Sequence, residues 1–407
     1  MKILLSCFAC EPGLGSEEGV GWNMALQTAK YNQTWVLTRT FYRDAIEAEI
    51  CKNPIPNLHF VYIEPLNWKE NFKGRQGGLQ LHYYLWQILA YMKARSLHRQ
   101  IGFDLARHVT YVKFWSPSFI SLLPIPFIWG PVGGGEAAPK PFWRDFSLKA
   151  KIYEIARDFG QRMGESDPFT RMTARRSVVT FVTTEDTAKR VRQLGAKNVQ
   201  ILSEAGLSKE EIATLAEYPI PTNQPIRLIS MGRLLHWKGY HLSVRAFAKA
   251  NLPDAEYWLL GDGPERPRLQ AMIKELGVAA RVKLWGRLPR QETLQKLGQS
   301  HILVHPSLHD SGGWTCLEGM AAGRPVICLD LGGPATQVTE ETGIKVPAME
   351  PEAAVSGLAE AMVRLASDAE LRARMGEAGK KRVREFYDWD IKGKFFAQLY
   401  EEIAAGK

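Results

Sequence analysis

The chain has 407 residues, too many for one ordinary hydrophobic core, so two domains are expected. Hydrophobic residues are 45% and charged residues 23%, which excludes a disordered chain, and no run of ~18 uncharged apolar residues argues for a spanning helix. The net charge of +9 suits nucleic acid, an anionic membrane surface or phosphorylated substrates, and the lack of a recognisable nucleic-acid-binding motif weighs against the first.

The N-terminus is apolar but short, Glu11 soon interrupts it, and it has no small-residue cleavage site. It reads as a buried strand, Ile3–Phe8, rather than a signal peptide. Five scattered cysteines fit a reducing cytoplasm better than a disulfide framework. Cys7 and Cys10 form a C-x-x-C without a second ligand pair for zinc, and small buried side chains are favoured over a redox motif. Thr34–Thr38, Leu58–Ile63, Phe127–Trp129, Val178–Thr183 and Val199–Leu202 read as further strands. Helical patterns separate several of them, at Val20–Lys30, Arg43–Cys51 and Thr187–Leu194. The segment from Trp68 to Arg99 interleaves Lys69, Lys73, Arg75, Lys93, Arg95 and Arg99 with aromatic and aliphatic residues. It fits a helix lying on a bilayer and a core-packing helix with a solvated basic face equally well.

The nine residues Glu217–Pro225 hold three prolines and read as a semi-rigid linker. Strand-like runs then resume at Ile226–Met231, Tyr257–Gly261, Val282–Trp285, Ile302–His305 and Val326–Leu329. The fold class is therefore α/β, two Rossmann-like doubly wound domains: 1–216, a linker at 217–225, 226–387, and a terminal segment 388–407 with a helix about Ile391–Ala404. Ligands of such sheets bind at the carboxyl ends of the strands.

Most of the informative motifs follow strands of the second domain. In Gly232-Arg-Leu-Leu-His-Trp-Lys-Gly239 the glycines allow a tight turn, Arg233 offers a planar fork of donors and Lys238 a mobile charge. The pair suits a diphosphate, and equally suits two surface cations of a loop. Gly261-Asp-Gly-Pro-Glu-Arg266 reads mainly as a structural strand-to-helix turn, with Pro264 placed to open a helix. From Pro306 the chain runs Ser-Leu-His-Asp310-Ser-Gly-Gly-Trp-Thr315-Cys-Leu-Glu318. Thr315–Ala322 reads as a helix whose first N–H groups, near Thr315 and Cys316, suit an anion. Glu318 suits a ribose, or supports the first turn of that helix. Asp310 suits sugar hydroxyls.

These residues resemble a family-4 retaining glycosyltransferase of the GT-B fold, two domains facing across a cleft. The match rests on G-R-L-x-x-x-K-G at 232–239, G-x-G-P-E-R at 261–266, Pro306-Ser307, the Asp310/Glu318 pair and G-R-P-V at 323–326. The resemblance implies that Arg233 and Lys238 hold the diphosphate, that Glu318 binds the ribose, and that Asp310, where the family usually has Glu, contacts the transferred sugar. It places Arg287 and Leu288 beside the base. Gly15, Gly232, Ser311, Gly312, Gly313, Trp314, Thr315 and Cys316 complete the implied nucleotide-sugar site. His108, in Asp104–Thr110, matches a histidine facing the donor sugar, with Arg107 where many relatives have a second His. The loop Trp129–Glu136 is expected to line the acceptor cleft, Ala205 departs from a common Asn-Gly, and the last helix is expected to cross back to the first domain.

The implied activity is retaining transfer of a hexose from a nucleotide sugar to a saccharide or lipid-linked saccharide in polysaccharide biosynthesis. UDP-glucose is the first candidate donor and GDP-mannose the second. No metal and no cofactor besides the donor are expected. Arg233, Lys238, Asp310 and His108 are the expected catalytic residues, with the leaving phosphate helping to take the acceptor's proton. Asp388-Trp-Asp390 matches a metal-binding Asp-x-Asp, but helix capping by Asp390 is the favoured reading. A nucleotide-sugar epimerase or hydrolase is the competing enzyme reading. A basic protein binding nucleic acid or anionic lipid is the competing non-enzyme reading. The expected location is the cytoplasm, with peripheral contact at the inner membrane face left open.

Overall fold

The computed structural model describes residues 1–65, 76–222 and 224–406, the side chains of 76–79 excepted. The chain divides into two compact units. One comprises Met1–Gly135, Ala156–Glu204 and Trp389–Lys407, the other Glu136–Ile155 and Ala205–Asp388.

The first unit is built on β1 (Lys2–Cys7), β2 (Gln33–Arg39), β3 (Leu58–Ile63), β4 (Leu105–Thr110), β5 (Phe127–Val132), β6 (Ser177–Val182) and β7 (Val199–Ile201). They form one parallel sheet in the order β3-β2-β1-β4-β5-β6-β7. The order reverses between β1 and β4, the switch point at which doubly wound sheets bind ligands. Strand β4 was not expected, because Arg107 and His108 interrupt its apolar run. Every residue of it is nevertheless buried. The Arg107 guanidinium donates to the Gly130 carbonyl (3.1 Å) and to Tyr400 Oη (3.0 Å), and lies 3.6 Å from the centroid of the Phe396 ring. The last helix, Trp389–Ala404, thus packs in this unit and supplies the partners that let a guanidinium sit in a central strand.

The helix Gln76–Ile101 turns Tyr83, Trp86, Ala90 and Ala94 into the core of this unit. Its described aromatic side is therefore core-packing, while Leu81, Ile88, Met92, Lys93, Arg95 and Arg99 are exposed. Trp68, Lys69, Lys73 and Arg75 lie outside the described residues. Cys7 and Cys10 are free and fully buried, and burial pushes both thiols far above their ordinary pKa. Asp390 does not cap the last helix. It lies within the first turn and accepts hydrogen bonds from Gln27 of the helix Ser16–Ala29 and from Lys30 just beyond that helix.

The second unit is built on β8 (Ile226–Met231), β9 (Ala255–Leu260), β10 (Val282–Gly286), β11 (Ile302–His305), β12 (Val326–Leu329) and β13 (Gly343–Val346), in the order β10-β9-β8-β11-β12-β13 and again parallel. Leu228, Val304 and Ile327 enter one core, while Ile229, Leu303 and Cys328 enter another, so both faces of the sheet are covered. Its switch point lies between β8 and β11.

The unit boundaries differ from those expected. Ser208 and Glu211 form a capping box for the helix Lys209–Ala216, whose Ile212 and Leu215 pack, with Leu207, in the second unit. Phe142 and Phe146 carry Glu136–Ile155 into the same unit. The proline-rich stretch after Glu217 is not a free connector. Arg324, 1% exposed, donates to the carbonyls of Pro219 (2.7 Å), Gly298 (2.5 Å) and Ser300 (3.1 Å), and to that of Ala322.

Candidate active site

In the second unit the segments after β8 and β11 meet at the switch point. Gly239 has φ +68°, and a Cβ there would lie 1.9 Å from the Pro306 carbonyl oxygen, so only glycine allows the two segments this approach. Leu308 N–H donates to the Trp237 carbonyl at 2.7 Å. The Trp237 ring stacks between Tyr153 and His309, at 5.2 Å from each. Glu154 Oε1 accepts from His236 Nε2 (2.8 Å) and from His309 Nε2 (3.4 Å), tying both segments to one buried carboxylate. Sequence reasoning missed Glu154. It precedes the site by some eighty residues (|i−j| is 82 to His236), and an Ile-Tyr-Glu-Ile run carries no catalytic signal.

This frame brings Lys238 and Asp310 together. Lys238 Nζ lies 2.5 Å from Asp310 Oδ2, which also accepts from His305 Nε2 at 3.1 Å, while Oδ1 accepts from the Gly313 amide at 3.3 Å. Burial alone would raise the Asp310 pKa, but Lys238 and His305 outweigh it and hold the carboxyl well below its ordinary value. Lys238 and Asp310 are thus partners of each other, and a diphosphate arriving at Lys238 would have to share or displace that ion pair. Arg233, beside Gly232, is exposed and has no ion-pair partner among the described residues, and Arg287 likewise. These are the cations left open for an anion.

The helix Trp314–Ala321 begins at Gly313, whose φ of +57° and contact with Gln337, 2.5 Å from a Cβ placed there, again require glycine. Gln337 Nε2 donates to the Gly312 carbonyl at 2.5 Å and fixes this turn from behind. The Cys316 amide already donates to the Gly313 carbonyl at 2.9 Å, and its thiol is fully buried. Cys316 is therefore a structural residue of this turn, and Trp314 and Thr315 carry the N–H groups left for an anion. Ser311, Trp314, Thr315 and Leu288 are half-buried around the turn, and Gly312 is buried within it.

Glu318 lies beyond the first turn and caps nothing. Its Oε1 accepts from Arg290 Nη1 at 2.6 Å, and Arg290 Nη2 reaches Glu211 Oε1 at 3.2 Å. Burial raises the Glu318 pKa and Arg290 opposes the rise, and the hydrogen bond from Arg290 fixes the carboxyl group in direction. Arg290 was also missed, since one arginine at the head of a helix has no sequence signature of its own.

In the first unit, Gly15 is exposed at the head of the helix Ser16–Ala29. His108 is not at a surface. It is fully buried in β4, with Nε2 at 3.3 Å from both Tyr83 Oη and Gln87 Nε2. Burial drives its pKa down to about 3 against a hydrogen bond to the Thr110 backbone, so it is neutral at pH 7. Taken by itself this unit holds His108 as a core residue. The polar groups at its switch point are others. Glu17 accepts from the Tyr111 amide at 2.9 Å, and Lys113, its pKa lowered by burial to about 8, lies 4.0 Å from the Tyr111 ring centroid.

Residues 214–382 match the family described as Glycosyl transferases group 1. The lipopolysaccharide core biosynthesis glycosyltransferase LpsE of Rhizobium meliloti (strain 1021) is 33% identical over 195 residues, 47% of this chain and 55% of that protein. The alpha-D-kanosaminyltransferase of Streptomyces kanamyceticus is 31% identical over 186 residues, 44% of this chain and 46% of that one. The chain spans about half the length of the curated relatives it matches. Among solved structures, sucrose-phosphate synthase from Thermosynechococcus elongatus is similar with a TM-score of 0.67 at 18% identity over 100% of both chains. Anabaena Alr3699/HepE in complex with UDP and glucose is similar with a TM-score of 0.62 at 17% identity, over 99% of this chain and 100% of that one. The two doubly wound α/β units are the fold that the resemblance implies.

Proposed function

We propose that this protein is a retaining glycosyltransferase. It moves a hexose from a nucleotide sugar to a saccharide or lipid-linked saccharide acceptor in polysaccharide biosynthesis, working at the cytoplasmic side of a membrane. The observation that carries the reading is the switch point of the second unit. There Arg233, Lys238 and the start of the helix Trp314–Ala321 gather positive charge and free N–H groups, with the oriented Glu318 carboxylate one turn further on. This is the donor set a nucleoside diphosphate needs, with Glu318 accepting from ribose hydroxyls. UDP-glucose is the favoured donor, supported by the Anabaena neighbour whose structure contains UDP and glucose.

In the proposed reaction the bond between sugar C1 and the donor's phosphate oxygen breaks. A bond from C1 to the acceptor oxygen forms on the same face, and the acceptor's proton passes to the departing phosphate. Arg233, Lys238 and the helix amides stabilise the negative charge that gathers on the diphosphate, the work a divalent metal does elsewhere. Asp310 holds Lys238 in place and contacts the sugar.

Incubation with UDP-glucose and a lipid-linked saccharide, followed by NMR of the product, tests this reading. An α-linked glucoside formed with one UDP released per linkage, undiminished by EDTA, is the expected result. An inverted product would overturn retention, and UDP-hexose epimerised or hydrolysed at the same rate without acceptor would overturn transfer.

A further inference from the structure

Lys238 and Asp310 reach each other from two different loops, so their pairing depends on what holds those loops in register. Part of the hold is backbone. Gly239 admits the Pro306 carbonyl, the Leu308 amide donates to the Trp237 carbonyl at 2.7 Å, and Ser307 Oγ donates to that same oxygen at 3.4 Å. The rest comes from a third segment of the same unit, Glu136–Ile155. Glu154 Oε1 accepts from His236 Nε2 at 2.8 Å and from His309 Nε2 at 3.4 Å. His236 stands two residues before Lys238, and His309 stands directly before Asp310. Tyr153 stacks on one face of Trp237 at an interplanar angle of 12°, and His309 covers the other at 16°. Two adjacent residues therefore grip both loops beside the ion pair.

Packing alone does not account for a carboxylate at this place. Glu154 is 1% exposed, and taking a carboxylate out of water is costly. Well-packed apolar side chains in place of a buried ionic group are often neutral or stabilising. An apolar residue here could fill the same space, but it could not accept from two imidazoles on separate loops. The direction of the His236 ring is set as well. Phe146, Tyr153 and Trp237 meet it edge to face, with centroids at 4.9, 5.6 and 4.7 Å.

We propose that Glu154 is a positioning residue. Through His236 and His309 it sets the distance between Lys238 and Asp310, and with it the direction of the Lys238 ammonium toward the leaving diphosphate. The catalytic half of the proposal rests on the transferase reading above, and the hold on the ion pair does not.

The test is a pair of double-mutant cycles on the full chain. In the first, kcat with UDP-glucose and a lipid-linked saccharide is divided by the number of UDP sites counted by calorimetry, so an unfolded fraction is not read as lost activity. Glu154→Ala is expected to bind UDP within about threefold of the wild type and to turn over about 10- to 100-fold more slowly per site. Glu154→Gln keeps an oxygen for both imidazoles and is expected to recover most of that turnover. Adding Glu154→Ala to Lys238→Ala is expected to slow turnover no further, because Glu154 acts through the lysine. The second cycle reads unfolding midpoints at pH 7 without substrate. Lys238→Ala is expected to lower the midpoint of the wild type and to leave that of Glu154→Ala nearly unchanged. If Glu154→Ala does not fold, His309→Phe, which keeps a ring against Trp237, takes its place in both cycles. Wild-type turnover per site in Glu154→Ala, multiplied losses in the double variant, or an equal loss of midpoint in both backgrounds would overturn the proposal. A wild type that transfers no sugar fails the transferase reading instead, and the second cycle still decides whether Glu154 holds the pair.

Discussion

Lys238→Ala is expected to lower turnover with the nucleotide sugar by about 100- to 1,000-fold, the range seen when one preorganised donor to a developing anion is removed. KM is expected to change less, because the charge on the diphosphate grows mainly as the sugar leaves. The structure adds a second consequence. Lys238 holds the Asp310 carboxyl at 2.5 Å and, with His305, keeps its pKa well below normal, so the variant leaves Asp310 to His305 and the Gly313 amide. A carboxyl depressed by folding contributes stability above its unfolded pKa of about 4 and loses it as pH falls toward the folded value. Lys238→Ala is therefore expected to be less stable than the wild type near neutral pH and to converge with it in acid. Lys238→Ala/Asp310→Asn is expected to recover much of that stability and none of the turnover. Steady-state kinetics and unfolding of the two variants check both halves, and near wild-type turnover in Lys238→Ala would contradict the assigned role.

Arg324→Ala is expected to be the most destabilising single change outside the site, by about 3 kcal/mol. The guanidinium serves carbonyls of Pro219, Gly298, Ser300 and Ala322, and a cavity lined by unpaired acceptors would remain. Lysine cannot replace it, since an ammonium lacks the planar fork that reaches carbonyls on several segments at once. For a unit of this size the midpoint of its transition is expected to fall by roughly 6–12 °C. Calorimetry that resolves the transition of the second unit from that of the first is the check. A midpoint unchanged within a degree or two would show that water replaces the guanidinium without cost. The G-R-P-V turn at 323–326 follows the site in the chain. Here its arginine works on the backbone, binding the proline-rich stretch to the body of the unit.

How much could be read in advance follows from where the signal is local. The strands β8 to β12 of the second unit are short apolar runs bounded by glycine or charge, whereas β13, Gly-Ile-Lys-Val, was not among those expected, and the helix Trp314–Ala321 came within one residue of its expected start. The loops with Arg233, Lys238, Asp310 and Glu318 follow those strands, so their placement was legible once the sheet was. Strand β4 was not, because its Arg107 is tolerated only through Gly130, Phe396 and Tyr400, the latter two 289 and 293 residues further on. Glu154 reads as a surface residue until His236 and His309 are brought to it. For His108 the motif and the burial point in different directions. A motif gave it a role at the sugar, whereas the burial of β4 encloses it between Tyr83 and Gln87. Unit boundaries were misplaced because proline content signals a stiff stretch but says nothing of what holds it.

The central claim is that the switch point between β8 and β11 holds a nucleoside diphosphate through Arg233 and Lys238. Isothermal calorimetry of the full chain against UDP, with GDP and ADP as comparisons, tests it most directly when repeated on Arg233→Ala. Arg233 has no partner in the described structure, so its removal leaves the fold alone and takes away one charge-assisted contact. UDP binding to the wild type, weakened about tenfold or more in Arg233→Ala, is the predicted result. UDP bound equally well by both proteins, or no nucleoside diphosphate bound by either, would contradict the assignment.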